Sequence, residues 1–366
     1  MAGQLQLKMK KISEGRLAWL NRQVQRQGLF SRREARLARR DINLGRVRAV
    51  LKTSTILIPG VLVAERYEHR CKILDVVEQC LRTLAHGDSR VKLDFSRVQK
   101  IYPGGMLVLL GALELILEIY PGRVAARCPP MSLSAQLLRH FGIADKLGVS
   151  PQFSQPTAKS VVEWRYLTGT QAMGEDVSDL LNSYRQSTNA EIPPDLFSVL
   201  TEGLINVRHH AYPSDSSIPP DLRRWWLFAR YVEPDAKTAG NLFIAIYDMG
   251  VGIPTTMKQR LEKGEVVLNL IEQVVPTGNA LDKALLQQAI EHRRSGTGLP
   301  HRGNGLPEMR EFIESTASGR LYIVSGNAQY SFGPGFKSGS TSAYSRSFPG
   351  TLLLWSLPLK SKELKA

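Results

Sequence analysis

Apolar positions recur along the chain in two rhythms, one helical and one alternating, and the changes of rhythm outline its elements. Residues 13–40 read mainly as helix: Leu17, Leu20, Val24 and later Leu37 fall at helical spacing. Ser31 with Glu34 forms a capping box, and Gly28 breaks the run in two. Residues 55–65 read as β-structure, and a helix follows over 70–86 with Ile73, Val76, Val77, Cys80, Leu81 and Leu84 on one stripe. Val91 to Phe95 alternates as a strand does. The turn Pro103-Gly104-Gly105 leads into a strongly apolar helix over 106–119, which Pro121-Gly122 ends. A short strand over 124–126 and a helix over 132–141 complete an alternation that predicts an α/β domain over residues 51–150.

The stretch 151–160 is rich in Pro, Ser and Gln and reads as a linker to a second domain over 161–360, with a tail at 361–366. In that second half the pattern predicts a helix from Asp195, a strand from Asn241 to Tyr247, a helix from about 302 to Ser315 and a final strand from Leu352 to Leu357. Residues 326–347, rich in Gly, Ser and Tyr, read as a long hairpin or loop.

Charge changes the picture at the N-terminus. The chain carries +15 overall, and residues 1–52 hold fourteen Lys and Arg against three acids, a net of +11. A basic, mainly helical arm over 1–50 on a nearly balanced body calls for an anionic partner, nucleic acid among them, or else is a solvated helix. Residues 31–50 resemble in part a small RNA-binding module with SRxxA on a helix and GxVxVNG on a strand, without the closing Asn-Gly. Cys71, Cys80 and Cys128 form no CxxC pair, which fits a reducing cytosol. The longest apolar run, Met106 to Ile119, is interrupted by Glu114 and Glu118 and is short for a membrane span. The start has no apolar stretch of secretory-signal length, so a cytoplasmic protein away from membranes is expected.

Four pieces of the second half carry chemistry. Glu202, Asn206 and His210 are spaced i, i+4, i+8, which sets them on one helical face. Asp248-Met249-Gly250-Val251-Gly252-Ile253 directly follows the predicted strand. Gly303-Asn304-Gly305-Leu306 opens a helix, and Gly350-Thr351 heads the final strand. A carboxylate and a carboxamide one turn apart can position a water and a Mg²⁺ held mainly by phosphate oxygens. A strand-end Asp can accept from an adenine amino group, and glycines beside it let backbone approach the ring. Glycines at a helix start offer bare N–H groups to phosphates. No GxxxxGK[ST] is present, which excludes a P-loop.

This order resembles the GHKL, or Bergerat-fold, ATPases, the superfamily of gyrase, histidine kinases and MutL. Glu202, Asn206, His210 and Ala211 match the N box of that family; Asp248, Gly250, Gly252 and Ile253 its G1 box; Gly303, Gly305 and Leu306 its G2 box; Gly350 and Thr351 its G3 pair. The resemblance implies an α/β sandwich with helices packed on one mixed sheet, binding ATP and Mg²⁺. It implies Glu202 as general base, Asn206 on Mg²⁺, and nucleotide contacts from Asn206, Asp248, Gly250, Gly252, Ile253, Gly303, Asn304, Gly305, Leu306 and Thr351. His210 is expected to be structural. The family keeps its ATP lid where Thr255 to Arg302 stand here.

Residues 50–150 resemble the STAS domain, with Leu93-Asp94-Phe95-Ser96 and then Ile101-Tyr102-Pro103-Gly104-Gly105-Met106. The serine that family phosphorylates falls on Pro103 or Gly104, so what the resemblance implies is a docking unit for a protein partner. Three outputs compete: ATP hydrolysis driving a conformational or homodimer assembly switch, phosphoryl transfer to a protein serine or threonine, and sensing of ATP without hydrolysis. Glu202 tilts the balance toward hydrolysis, because a sensor has no need of a base.

Overall fold

A computed structural model describes residues 52–86, 89–129, 132–149, 164–170, 174–188, 190–214, 220–234, 239–262, 278–291, 305–316 and 318–360. The expected arm over 1–50 and the linker over 151–160 lie outside the described residues. The chain is mixed α/β. Its first unit holds a parallel sheet of β1 (Lys52–Leu57), β3 (Ser89–Asp94) and β5 (Val124–Arg127), in the order β1-β3-β5. A two-residue ladder joins β2 (Val61–Leu62) to β4 (Lys100–Ile101). Helices α1 (Tyr67–Ala85), α2 (Pro103–Ile119) and α3 (Leu133–His140) belong to this unit. The Pro103-Gly104-Gly105 turn is the first turn of α2, where the missing proline N–H costs nothing.

The second unit is built on a five-stranded sheet, β6 (Trp164–Gly169), β7 (Trp225–Val232), β8 (Gly240–Asp248), β9 (Arg320–Gly333) and β10 (Phe336–Leu359), in the order β6-β7-β8-β10-β9. The expected mixed sheet is instead antiparallel throughout. Connectivity explains this. The chain leaves β6 at Gly169 and re-enters at Trp225, directly opposite in register. The β9–β10 hairpin then inserts β10 between β8 and β9, which run the same way but never pair. Helices α4 (Gly174–Ser187), α5 (Leu196–Asn206), α6 (Ile253–Glu262), α7 (Gly278–Glu291) and α8 (Gly305–Ser315) complete the unit. The final strand is longer than expected, so Gly350-Thr351 lie inside β10, beside a register shift, not at its head.

Both faces of this sheet are covered. Leu227, Ile244, Ile246, Ile323, Leu353 and Trp355 bury one face against α4, α5, α7 and α8. The alternate residues Trp226, Phe228, Ala245, Tyr247, Leu352 and Leu354 bury the other face in a core shared with α2 of the first unit. This double burial is why β7 and β8 read as nearly continuous apolar runs. Helix α2 is buried at every position except Glu114 and Glu118. Both acids turn to the sheet side. Glu114 accepts from the Tyr166 hydroxyl at 2.6 Å and the Trp226 indole N–H at 2.7 Å. Glu118 pairs with Arg224 at 3.0 Å. No described helix is long and apolar enough to cross a membrane.

The two units are also tied by the β9–β10 hairpin, which leans on α1. Tyr67 stacks on Tyr344 with centroids 4.3 Å apart, and the buried Arg70 guanidinium lies over both rings. Arg70 also donates to Ala64 O at 2.6 Å and to Gln329 Oε1 at 2.8 Å. Arg346 binds the Cys71 carbonyl at 3.0 Å and the carboxylates of Asp75 and Glu78.

Candidate nucleotide site

The site is assembled at the ends of β8 and β10. Asp248 closes β8 and is only 4% exposed. Its Oδ1 accepts from the Gly250 N–H at 2.8 Å, an Asx-type turn that bends the chain away from the strand. Burial raises the Asp248 carboxyl from its ordinary 3.8 to about 7, while hydrogen bonds from the Gly250 and Thr351 backbone hold it down in part.

The glycines here are dictated by space. A Cβ on Gly250 would overlap the Ala211 carbonyl, and Val251 N–H donates to that same carbonyl at 2.9 Å. Gly252 sits at φ +83°, a left-handed conformation in which a side chain is strained. α5 ends at Asn206, and Val207–Ala211 form one π-helical turn. The regular spacing therefore holds from Glu202 to Asn206 and not on to His210, which corrects the expectation of one continuous α-helical face. The widened turn leaves carbonyls available to the Asp248 loop: Ala211 O takes Val251, and His210 O takes the Thr256 hydroxyl at 3.4 Å. His210 is partly buried, and its burial, the neighbouring His209 and Arg260 all disfavour its charged form.

A second group lies on the same side of the sheet. Gly203 packs α5 so closely on β8 that an added Cβ would meet Ile246 at 2.9 Å. Gly305, the first residue of α8, lies against α5: a Cβ there would stand 3.0 Å from both Asn206 Nδ2 and Glu202 Oε2. Glu202 is raised above its ordinary value, first by burial and then by Glu308 on α8. Asn206 Nδ2 is buried and has no hydrogen-bond partner. Ile253 and Leu306 are half-buried against the helix-side core. Gly303 and Asn304 lie outside the described residues. Among the described residues, no three His, Cys, Asp or Glu side chains are placed to hold a metal ion.

The structure adds residues that the sequence pattern had not singled out. Ser325 on β9 is fully buried, and its hydroxyl touches Ile253 N at 2.8 Å, Gly350 O at 3.0 Å and Thr351 Oγ1 at 3.0 Å. Tyr212 donates to Arg224 O at 2.6 Å and accepts from Met249 N–H at 3.3 Å, bracing the loop behind Asp248. Asp282 on α7 accepts from Asn327 N–H at 2.8 Å, next to Gly326 at φ +56°. The Ser-Gly-Asn run at 325–327 was the available signal, a small polar residue and a glycine interrupting an apolar strand. No family model matches the sequence, and no curated protein matches it either.

Proposed function

We propose that the chain is an ATP-binding protein of the GHKL type that uses the nucleotide to drive a switch felt by its STAS-like first unit. The observation that carries this reading is the convergence of a buried, glycine-flanked Asp248 with Thr351 on one sheet end, beside Glu202 and Asn206 crowded by Gly305. In this reading Asp248 accepts from the base amino group. Gly250 and Gly252 let the loop pack against Ala211, Ser325 and Gly350 and so hold the Asp248 turn in place. Gly305 opens α8, where backbone N–H groups would meet phosphates, with Gly303 and Asn304 preceding it in the sequence.

In this reading the Asn206 side-chain oxygen, one helical turn from the Glu202 carboxylate, is the group that would face Mg²⁺, while its buried Nδ2 has no hydrogen-bond partner. Asn206 would hold the ion together with phosphate oxygens, and the ion would supply charge neutralisation there. Glu202 sits at the rim as a partly exposed carboxylate of raised basicity, suited to orienting a water and taking its proton. Phosphoryl transfer within the chain has no acceptor at the STAS turn. Pro103 and Gly104 carry no hydroxyl, and a Cβ on Gly104 would stand 2.5 Å from Leu354 of the sheet.

The test is calorimetric titration with ATP and Mg²⁺, on the wild type and on Asp248→Asn. The mutant is expected to lose about 1–3 kcal/mol of binding, the scale of a buried acceptor mispaired. Unchanged affinity in Asp248→Asn would defeat the assignment. Labelled ATP then separates free phosphate, the expected product, from phosphoprotein.

A further inference from the structure

Four side chains form a row across neighbouring strands. Trp225 pairs with Asp248, Asp248 with Thr351, and Thr351 with Ser325. Directly opposed residues of antiparallel strands point to the same face, so the row runs unbroken along the end of the sheet.

The hydrogen bonds in this row determine where each proton lies. The Ile253 backbone N–H is a donor only, so Ser325 Oγ accepts it at 2.8 Å. The Gly350 carbonyl is an acceptor only, so the single Ser325 proton goes to it at 3.0 Å. Ser325 then has no proton left for its third neighbour. With all three contacts made as hydrogen bonds, Thr351 is the donor in the 3.0 Å contact between Ser325 Oγ and Thr351 Oγ1. The Thr351 hydroxyl proton is thereby turned away from Asp248, and what Thr351 Oγ1 has left to offer a ligand is lone pairs. Above pH 7, where it is ionised, Asp248 beside it offers carboxylate oxygen.

We infer that Ser325 is the specificity-determining positioning residue of the site: by committing the Thr351 proton, it leaves an acceptor–acceptor pair that selects a purine with a 6-amino group over one with a 6-oxo group. An amino group brings two N–H donors to two acceptors. A 6-oxo purine brings a carbonyl oxygen and an N1–H, and would need one donor and one acceptor. With Ser325 in place, the Thr351 hydroxyl cannot turn to supply that donor. Polar sites of this kind discriminate strongly, because the wrong ligand leaves buried groups unpaired. The inference rests on the nucleotide reading above and adds to it the residue that sets base choice.

The experiment compares ATP with inosine triphosphate, which differs from ATP only at the 6-position and N1, by equilibrium binding to the full chain. The wild type is expected to prefer ATP by about a hundredfold or more. Ser325→Ala frees the Thr351 hydroxyl to rotate, and the preference is expected to fall by about tenfold. Thr351→Val removes the second acceptor and should lower ATP affinity and the preference together, whereas Thr351→Ser, which keeps the hydroxyl, should restore both. Because the readout is a ratio, loss of folded protein cancels. If Ser325→Ala does not fold, the Thr351→Val and Thr351→Ser pair decides alone. A wild-type ratio in Ser325→Ala, equal binding of both nucleotides by the wild type, or no rescue by Thr351→Ser would overturn the inference while leaving the nucleotide site standing. Failure of the wild type to bind either nucleotide would instead overturn the site itself.

Discussion

Asp248 is the residue on which pH should act. Its carboxyl ionises at about 7 in the folded chain against an ordinary 3.8, because burial penalises the charge. A group whose folded pKa is raised favours the folded state in full below its unfolded value and loses that contribution as pH rises through the folded value. The ligand-free protein should therefore lose about 3 kcal/mol from this group alone between pH 4 and pH 7. Urea denaturation across that range is expected to show a steeper slope in the wild type than in Asp248→Asn. Nucleotide affinity should run the other way and rise with pH through about 7, since the proposed role needs a carboxylate. Glu202 makes a separate prediction. Glu202→Ala should leave ATP binding close to wild type and lower turnover by about 10²–10⁴, measured as free phosphate released. Wild-type turnover in that variant would remove the general-base role. The close approaches at Gly250 and Gly252 were legible before the structure, since two glycines directly after a strand mark where backbone must come close. The role of Ser325 was not, because the Ser-Gly-Asn run marks an interruption of the strand without showing what the serine meets. Its importance arises from three neighbours contributed by separate segments.

Helix α2 shows how far pattern reading reaches at the level of an element. Its apolar run foretold a buried helix, with two glutamates as apparent interruptions. The pattern could not tell that the second half of its burial comes from Trp226, Tyr247, Leu352 and Leu354, more than a hundred residues later. Nor could it tell that the glutamates are the polar fasteners of that contact. Close approach is built in at Gly111, where an added Cβ would meet Trp226 and Tyr247 at 3.3 Å. Burial and the nearby Glu114 carboxylate both keep the Tyr166 hydroxyl protonated. Glu114→Ala should strand the Tyr166 hydroxyl and the Trp226 indole N–H without their acceptor. The expected cost is about 2–6 kcal/mol, one to three for each orphaned donor. A thermal melt reads it, and a melting temperature equal to wild type would mean the contact is incidental. β7 was missed in the sequence for a related reason: a strand covered on both faces loses the alternation by which strands are recognised.

At the scale of the whole molecule, the units at 52–149 and 164–360 share one core. α2 lines a face of the five-stranded sheet, and the β9–β10 hairpin grips α1 through Tyr344 and Arg346. The same strand, β10, carries Thr351 five residues beyond Arg346, so the Asp248–Thr351 row and the grip on α1 lie at most about 17 Å apart along one backbone. A switch relayed by the units swinging apart is therefore disfavoured; small shifts along β10 are the available route. The covered sheet face also has a consequence for dissection. Cut at the apparent linker, residues 161–366 would present Trp226, Phe228, Tyr247, Leu352 and Leu354 to water, a contiguous apolar surface of the sort that drives self-association. That fragment is expected to sediment as oligomers when expressed alone, and to become a single soluble heterodimer when residues 1–150 are co-expressed. A stable monomeric 161–366 would contradict the shared core. The chain is thus a natural candidate for split-protein reconstitution: two inert halves whose reunion, and not either half, restores the fold.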